Sequence, residues 1–142
     1  MNNPSNKAVV ERFFQLLNER DYDTAEELLD DEMIWWNAGD PDRFFLAGSR
    51  TKEEALAGLR GNAEMAPGGM ICVPTGWVVD GDKVAMEATV DGVFFNGDRY
   101  VNEFHFLIEL RDGKILLIKE YFDTQTCNDV FTKVIEDFNA AN

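Results

Sequence analysis

Apolar and polar positions along the chain first repeat with a helical period. Asn3-Pro4-Ser5 reads as a helix start. Val9, Val10, Phe13, Phe14, Leu16 and Leu17 then form one broad apolar face to about Glu19. Asp21-Tyr22-Asp23 breaks the pattern, and Asp23 with Glu26 resembles a capping box for a short second helix through Leu29. Met33–Asn37 alternates as a strand, and Gly39–Gly48 reads as a loop carrying Arg43, Phe44 and Phe45. Thr51 with Glu54 predicts the cap of a third helix to about Glu64, closed by Pro67-Gly68-Gly69. From Ile71 to Thr124 the period is that of strands joined by tight turns. Thr126 with Asp129 suggests a last helix with Val130, Phe131, Val134, Ile135 and Phe138 on its stripe. Helices set apart from an antiparallel sheet define an α+β class. The 142 residues are expected to form a single domain, 1–142.

Two turns decide which residues of the sheet share a face. Asn96-Gly97 reads as a two-residue type I′ turn pairing Phe95 with Asp98. This register sets Asp91 against Asn102, Thr89 against Phe104 and Glu87 against Phe106. Arg111-Asp112-Gly113-Lys114 fits either a two-residue loop or a three-residue loop with a bulge. The two-residue loop would set His105 against Glu120. The three-residue loop sets Phe104 against Glu120 and Phe106 against Ile118, and it keeps one face nearly all apolar. A one-residue slip exchanges whole faces, so the cleaner separation is preferred.

These registers predict an apolar concavity walled by Trp35, Phe104, Phe106 and Phe122, with Glu87, Thr89, Asp91, Asn102 and Glu120 as a sparse polar set. A carboxylate facing such a surface is costly unless it is paired, neutralised or used. Glu120 is therefore the leading candidate for a general acid or base, against the alternative of a rim residue paired with Arg43 or another cation. Glu87 is read as a second, protonated carboxyl or else as a partner for Arg99. Asn37 either orients a substrate or water, or ties its strand to the following loop. His105 falls on the opposite face, and Asp123 reads as the cap of the turn into Thr124–Thr126.

Composition narrows the function classes. Forty-five per cent of the residues are hydrophobic, and eleven Phe and three Trp favour a pocket or interface as well as a core. A formal net charge of −14 disfavours nucleic acid and anionic membrane as partners. Cys72 and Cys127 have no pattern around them, which predicts free thiols in a reducing, cytoplasmic setting. The polar Met1–Lys7 segment does not read as a signal peptide, and no apolar run reaches the ~20 residues of a bilayer span. No His/Cys/Asp spacing suggests a metal, and no Gly-rich phosphate loop is present, so no cofactor is expected.

The element order, with Trp35-Trp36-Asn37 on the first strand, Gly48 before the third helix, and Asp112-Gly113-Lys114-Ile115 leading into Glu120-Tyr121-Phe122-Asp123, resembles the SnoaL-like branch of the NTF2-like superfamily. The resemblance spans about Asn6 to Thr124. It implies a cone-shaped fold, with a curved antiparallel sheet, helices on its concave side and a deep apolar pocket. The superfamily includes polyketide cyclases, ketosteroid isomerase, scytalone dehydratase, limonene epoxide hydrolase and non-enzymes, so fold alone leaves the reaction open. In the epoxide hydrolases a last-strand carboxylate and a first-strand Asn hold the attacking water, positions matched by Glu120 and Asn37. The Arg–Asp pair of those enzymes is replaced by Glu87 and Thr89. The base position of ketosteroid isomerase falls near Asn37, which cannot ionise. In the SnoaL cyclases a last-strand carboxylate is the general base, which Glu120 could match. The resulting expectation is a cofactor-independent isomerase, cyclase, dehydratase or hydrolase acting on an apolar, oxygen-bearing small molecule. A non-catalytic ligand-binding protein and a protein-interaction module are the rivals. A face bearing Leu107, Ile115, Leu117 and Tyr121 is expected to pack on a second copy as a homodimer.

Overall fold

The computed structural model describes residues 4–142. Within them lie α1 (Asn6–Asn18), α2 (Tyr22–Glu26), β1 (Leu29–Asn37), β2 (Gly48–Thr51), α3 (Lys52–Met65), β3 (Met70–Asp80), β4 (Lys83–Val93), β5 (Arg99–Arg111), β6 (Lys114–Phe122) and α4 (Thr124–Ala141). Asn3, part of the predicted helix start, lies outside the described residues, but Ser5 serves as the N-cap of α1 by accepting from Ala8 N at 3.1 Å. The capping box at α3 is formed as expected: Glu54 N donates to Thr51 Oγ1 at 3.2 Å and Thr51 N to Glu54 Oε1 at 3.1 Å.

Two predicted caps shift. Asp21, not Asp23, caps α2 by accepting from Thr24 N at 3.1 Å, and the helix closes at Glu26. The chain then extends four residues earlier than predicted, from Leu29, which is buried in the core as the first residue of β1. Asp123, not Thr126, caps α4 by accepting from Gln125 N at 3.1 Å and Thr126 N at 3.2 Å. The chain between the predicted loop and the third helix, Gly48–Thr51, forms a short edge strand, β2.

The six strands run in the order β2-β1-β6-β5-β4-β3. All neighbours are antiparallel except β1 and β6, which are parallel, so the sheet is mixed. The parallel join brings Asn37 directly beside Glu120. One apolar cluster packs α1 and the start of α3 on the concave face of β1, β4, β5 and β6. A second joins Phe94, Tyr100 and Phe44 to the α4 stripe at Phe131 and Val134. No helix among the described residues is long and apolar enough to cross a membrane.

Both hairpins use the loop opposite to the one expected. At β4–β5 the loop is Phe95-Asn96-Gly97: Gly97 N donates to Phe94 O at 2.9 Å and Phe94 N to Asp98 O at 2.8 Å, with Gly97 at φ 90°. This is a type I turn with a G1 bulge. Tertiary contacts hold it, since Phe95 N donates to Met65 O at 2.7 Å and the Phe95 ring packs edge-on against Phe138. The pairing therefore moves by one residue, to Val90–Asn102, Ala88–Phe104 and Met86–Phe106. Val84, Met86, Ala88, Val90 and Phe94 turn inward. Glu87, Thr89 and Asp91 turn to the convex face, correcting the predicted polar set.

At β5–β6, Arg111 pairs with Lys114 across a two-residue turn in which Asp112 and Gly113 take φ 52° and 76°. A bulge follows: Ile115 pairs with Leu110 and Leu117 with Glu109, leaving Leu116 without a partner. The extra residue restores the face that the two-residue turn alone would have reversed. Glu120 keeps the predicted concave face, but its cross-strand neighbour is Phe106 and not Phe104. The two-residue turn sets Ile115 beside the inward-facing Leu110 and buries it completely, so it is removed from the predicted outer surface.

Candidate active site

Three strands position the polar centre of the concavity. Asn37 on β1, Glu120 on β6 and Phe106 on β5 stand in one cross-strand row, and Trp35 lies one step along β1 on the same face. Trp35 Nε1 donates to Glu120 Oε2 at 2.5 Å. The indole is clamped by Phe13 of α1, whose ring centroid lies 6.1 Å away. Burial fixes the donor before any ligand arrives, so the carboxyl is held in one orientation.

These residues line a cavity of about 230 Å³ between the sheet, α1, α3 and the start of α4. Its wall is mostly aromatic and aliphatic. Phe104 stacks between Phe106 and Phe122 at centroid distances of 5.6 and 4.6 Å. The volume lies below the ~300–1,000 Å³ common for drug-sized ligands, so the site suits a compact molecule.

Burial of Glu120 pushes its carboxyl pKa up to about 7, against the smaller pull of the Trp35 indole and the Arg50 charge. The side chain nevertheless keeps part of its surface open to the cavity. It is thus desolvated by the protein while remaining reachable by a ligand, the combination that general acid–base chemistry requires. No cation is ion-paired with it among the described residues, and Arg43 is exposed in the β1–β2 loop.

Asn37 is 7% exposed, and its Oδ1 has no hydrogen-bond partner among the described residues. A buried acceptor without a partner is costly, and this one is enclosed by the protein even though Asn37 itself lines the cavity.

The remaining predicted residues divide. Trp35, Phe104, Phe106 and Phe122 line the cavity with Glu120 and Asn37. Asn102 faces inward but is occupied: its Nδ2 donates to Tyr100 Oη at 2.8 Å and Asp123 O at 2.9 Å, and its Oδ1 accepts from Glu103 N at 2.9 Å and Asp123 N at 3.3 Å. It anchors the entry to α4 and does not line the cavity. Glu87 is exposed and stands opposite His105 on the convex face. Thr89 lies beside Glu103 there, and Asp91 forms a bidentate ion pair with Arg99 at 3.0 and 2.6 Å. Arg99 thus pairs with Asp91 and not with Glu87.

Residues distant in sequence complete the wall: Arg50 from β2, Asn62 from α3, and Cys72 and Cys127 from β3 and α4. No local pattern distinguishes them, because they converge only when α3 and α4 close over the sheet. Burial, reinforced by Glu120, pushes the Cys72 thiol up to about 12; burial does the same to Cys127. Both stay protonated and unsuited to nucleophilic attack. Among the described residues no group of three or more His, Cys, Asp or Glu is arranged to hold a metal ion.

A curved sheet wrapped by helices around an apolar cavity is the NTF2-like fold. The SnoaL-like domain matches residues 10–118, and the chain belongs to that family. Among curated proteins it is similar to UPF0523 protein B of Dictyostelium discoideum, 29% identical over 117 residues, covering 78% of this chain and 71% of the relative. The fold is shared with an NTF2-like protein of unknown function from Burkholderia pseudomallei (TM-score 0.76, 18% identity, 91% of this chain and 97% of that one). It is also shared with IdmH, a proposed polyketide cyclase from Streptomyces antibioticus (TM-score 0.73, 19% identity, 87% and 95% covered).

Proposed function

We propose that this protein is a cofactor-independent enzyme in which Glu120 transfers a proton to or from a compact, largely apolar substrate bearing a carbonyl or similar oxygen. The observation that carries this reading is the carboxyl itself, buried at an aromatic cavity wall, held by one indole N–H and raised to about 7. A group poised there is part ionised near neutrality, so it can accept a proton and return it within one cycle. Asn37 stands beside it in the same cross-strand row and lines the cavity, where its amide is placed to hold a substrate hydroxyl or an attacking water in line with the carboxyl. The reaction class is isomerisation, cyclisation, dehydration or hydrolysis, each of which moves a proton to or from the substrate or an attacking water. The proposed polyketide cyclase among the structural neighbours is compatible with this group of reactions.

A screen of cyclisable, epoxide and enolisable ketone substrates on wild type and Glu120→Gln tests the reading. Turnover lost with binding retained supports it. Turnover that survives the substitution removes Glu120 as the proton carrier. Binding without turnover in either form favours a ligand carrier with the same cavity.

We propose in addition that the convex face pairs two copies. Trp36 and Tyr121 pack edge to face there at 5.5 Å, beside the half-buried Leu107 and Leu117. Sedimentation at micromolar concentration is expected to give twice the 16.1 kDa chain mass.

A further inference from the structure

Two guanidinium groups border the cavity, and only one is explained by the fold. Arg20 Nη2 donates to Ala66 O at 2.9 Å and Pro67 O at 2.8 Å, closing the carbonyl end of α3, where a cation is favoured. Arg50 is different. It stands opposite Trp35 on the same face of β2, so its side chain starts toward the concavity one row from Glu120. It is half-buried, and Nη1 donates to Leu46 O at 2.7 Å. No carboxylate forms an ion pair with it among the described residues, although the chain carries 27 Asp and Glu. Glu54, in the first turn of α3, is turned to the backbone of Thr51 in the capping box. Arg50 also precedes the N-cap of α3, where the helix dipole adds to its positive potential instead of offsetting it. Its charge acts on Glu120 and Glu54, but neither carboxylate is at ion-pair distance, so the guanidinium N–H groups not bonded to Leu46 O are left for another acceptor.

We propose that the ligand of this cavity is a compact apolar carboxylic acid, its carboxylate taken by the free N–H groups of Arg50 while its reactive carbon or oxygen faces Glu120. This inference rests on the reading of the cavity as a small-molecule site and names the class of molecule. The planar fork of a guanidinium matches a carboxylate bidentately, and an aromatic wall fits the remainder. The charge of Arg50 fixes one end of the molecule, which leaves Glu120 and Asn37 to act on the other.

The test compares 2-naphthoate with 2-naphthamide, nearly identical in shape and different in charge, by isothermal titration at neutral pH. Wild type should bind the acid at least about tenfold more tightly, the expected return for a charge-assisted pair. Arg50→Gln should abolish that preference with amide affinity kept, while Arg43→Gln, which removes an exposed cation, should preserve it. Equal affinities in wild type, or a preference that survives Arg50→Gln, would overturn the inference and leave the cavity reading standing. If neither probe binds wild type, the cavity reading fails and the inference falls with it. Arg50→Lys covers the case in which Arg50→Gln does not fold. It keeps the charge without the fork and should weaken acid binding several-fold with amide binding unchanged.

Discussion

Trp35 and Glu120 meet across the parallel join of β1 and β6, where the indole N–H donates to the carboxyl at 2.5 Å. Two residues eighty-five positions apart thereby set one titrating group. The indole favours the ionised form and burial opposes it, and burial is the larger effect.

Trp35→Phe keeps an aromatic ring in the wall and removes the donor. The Glu120 pKa should then rise further above about 7, because the opposing influence of burial is left with less to offset it. The limb of a pH–rate or pH–binding profile that reports Glu120 should move to higher pH. An unchanged profile would show that the indole is not a partner of the carboxyl in solution.

Glu120→Gln should stabilise the fold at alkaline pH. The folded carboxyl titrates at about 7, above its ordinary 4.5, so the folded state binds the proton more tightly than the unfolded chain does. Its contribution to stability is fully present below about 4.5 and is lost as the pH rises through about 7. The full shift corresponds to about 3 kcal/mol, and the open side of the cavity reduces this to ~1–3 kcal/mol. Thermal melts of wild type and variant should therefore diverge by several degrees at pH ~8 and converge at pH ~5.

Asn102→Ala and Glu87→Gln separate structure from chemistry. Asn102 makes four hydrogen bonds, two of which tie β5 to Asp123 at the start of α4, so its loss should cost ~1–3 kcal/mol. Ligand affinity per folded molecule should be retained. Glu87 is exposed on the convex face and its replacement should change neither Tm nor ligand affinity. A strong effect of Glu87→Gln on binding would contradict the observed register.

The fold class, the helix faces, the capping box at Thr51 and the concave placement of Glu120 were legible in the alternation of polar and apolar residues. The hairpin loops were not. An Asn-Gly pair favours a two-residue turn locally, but the Phe95 bond to Met65 O and the packing of Phe95 on Phe138 hold a three-residue loop. The inward series Val84, Met86, Ala88, Val90 and Phe94 marks the correct register, because it keeps the apolar residues of β4 on one face. In that second hairpin the turn and the bulge at Leu116 cancel in their effect on the face. Glu120 therefore points inward for a reason different from the one anticipated. Arg50 left no trace in the sequence, because its position depends on β2 joining the sheet edge and not on a local period.

Carbon-13 observation of the Glu side-chain carboxyl groups through a pH titration, with Glu120→Gln to assign the resonance, tests the central claim most directly. One carboxyl, absent from the variant, should titrate at about 7 in the free protein. A Glu120 resonance titrating near 4.5 would contradict the account, since a group with the ordinary value is neither desolvated by the cavity nor poised to carry a proton at neutrality.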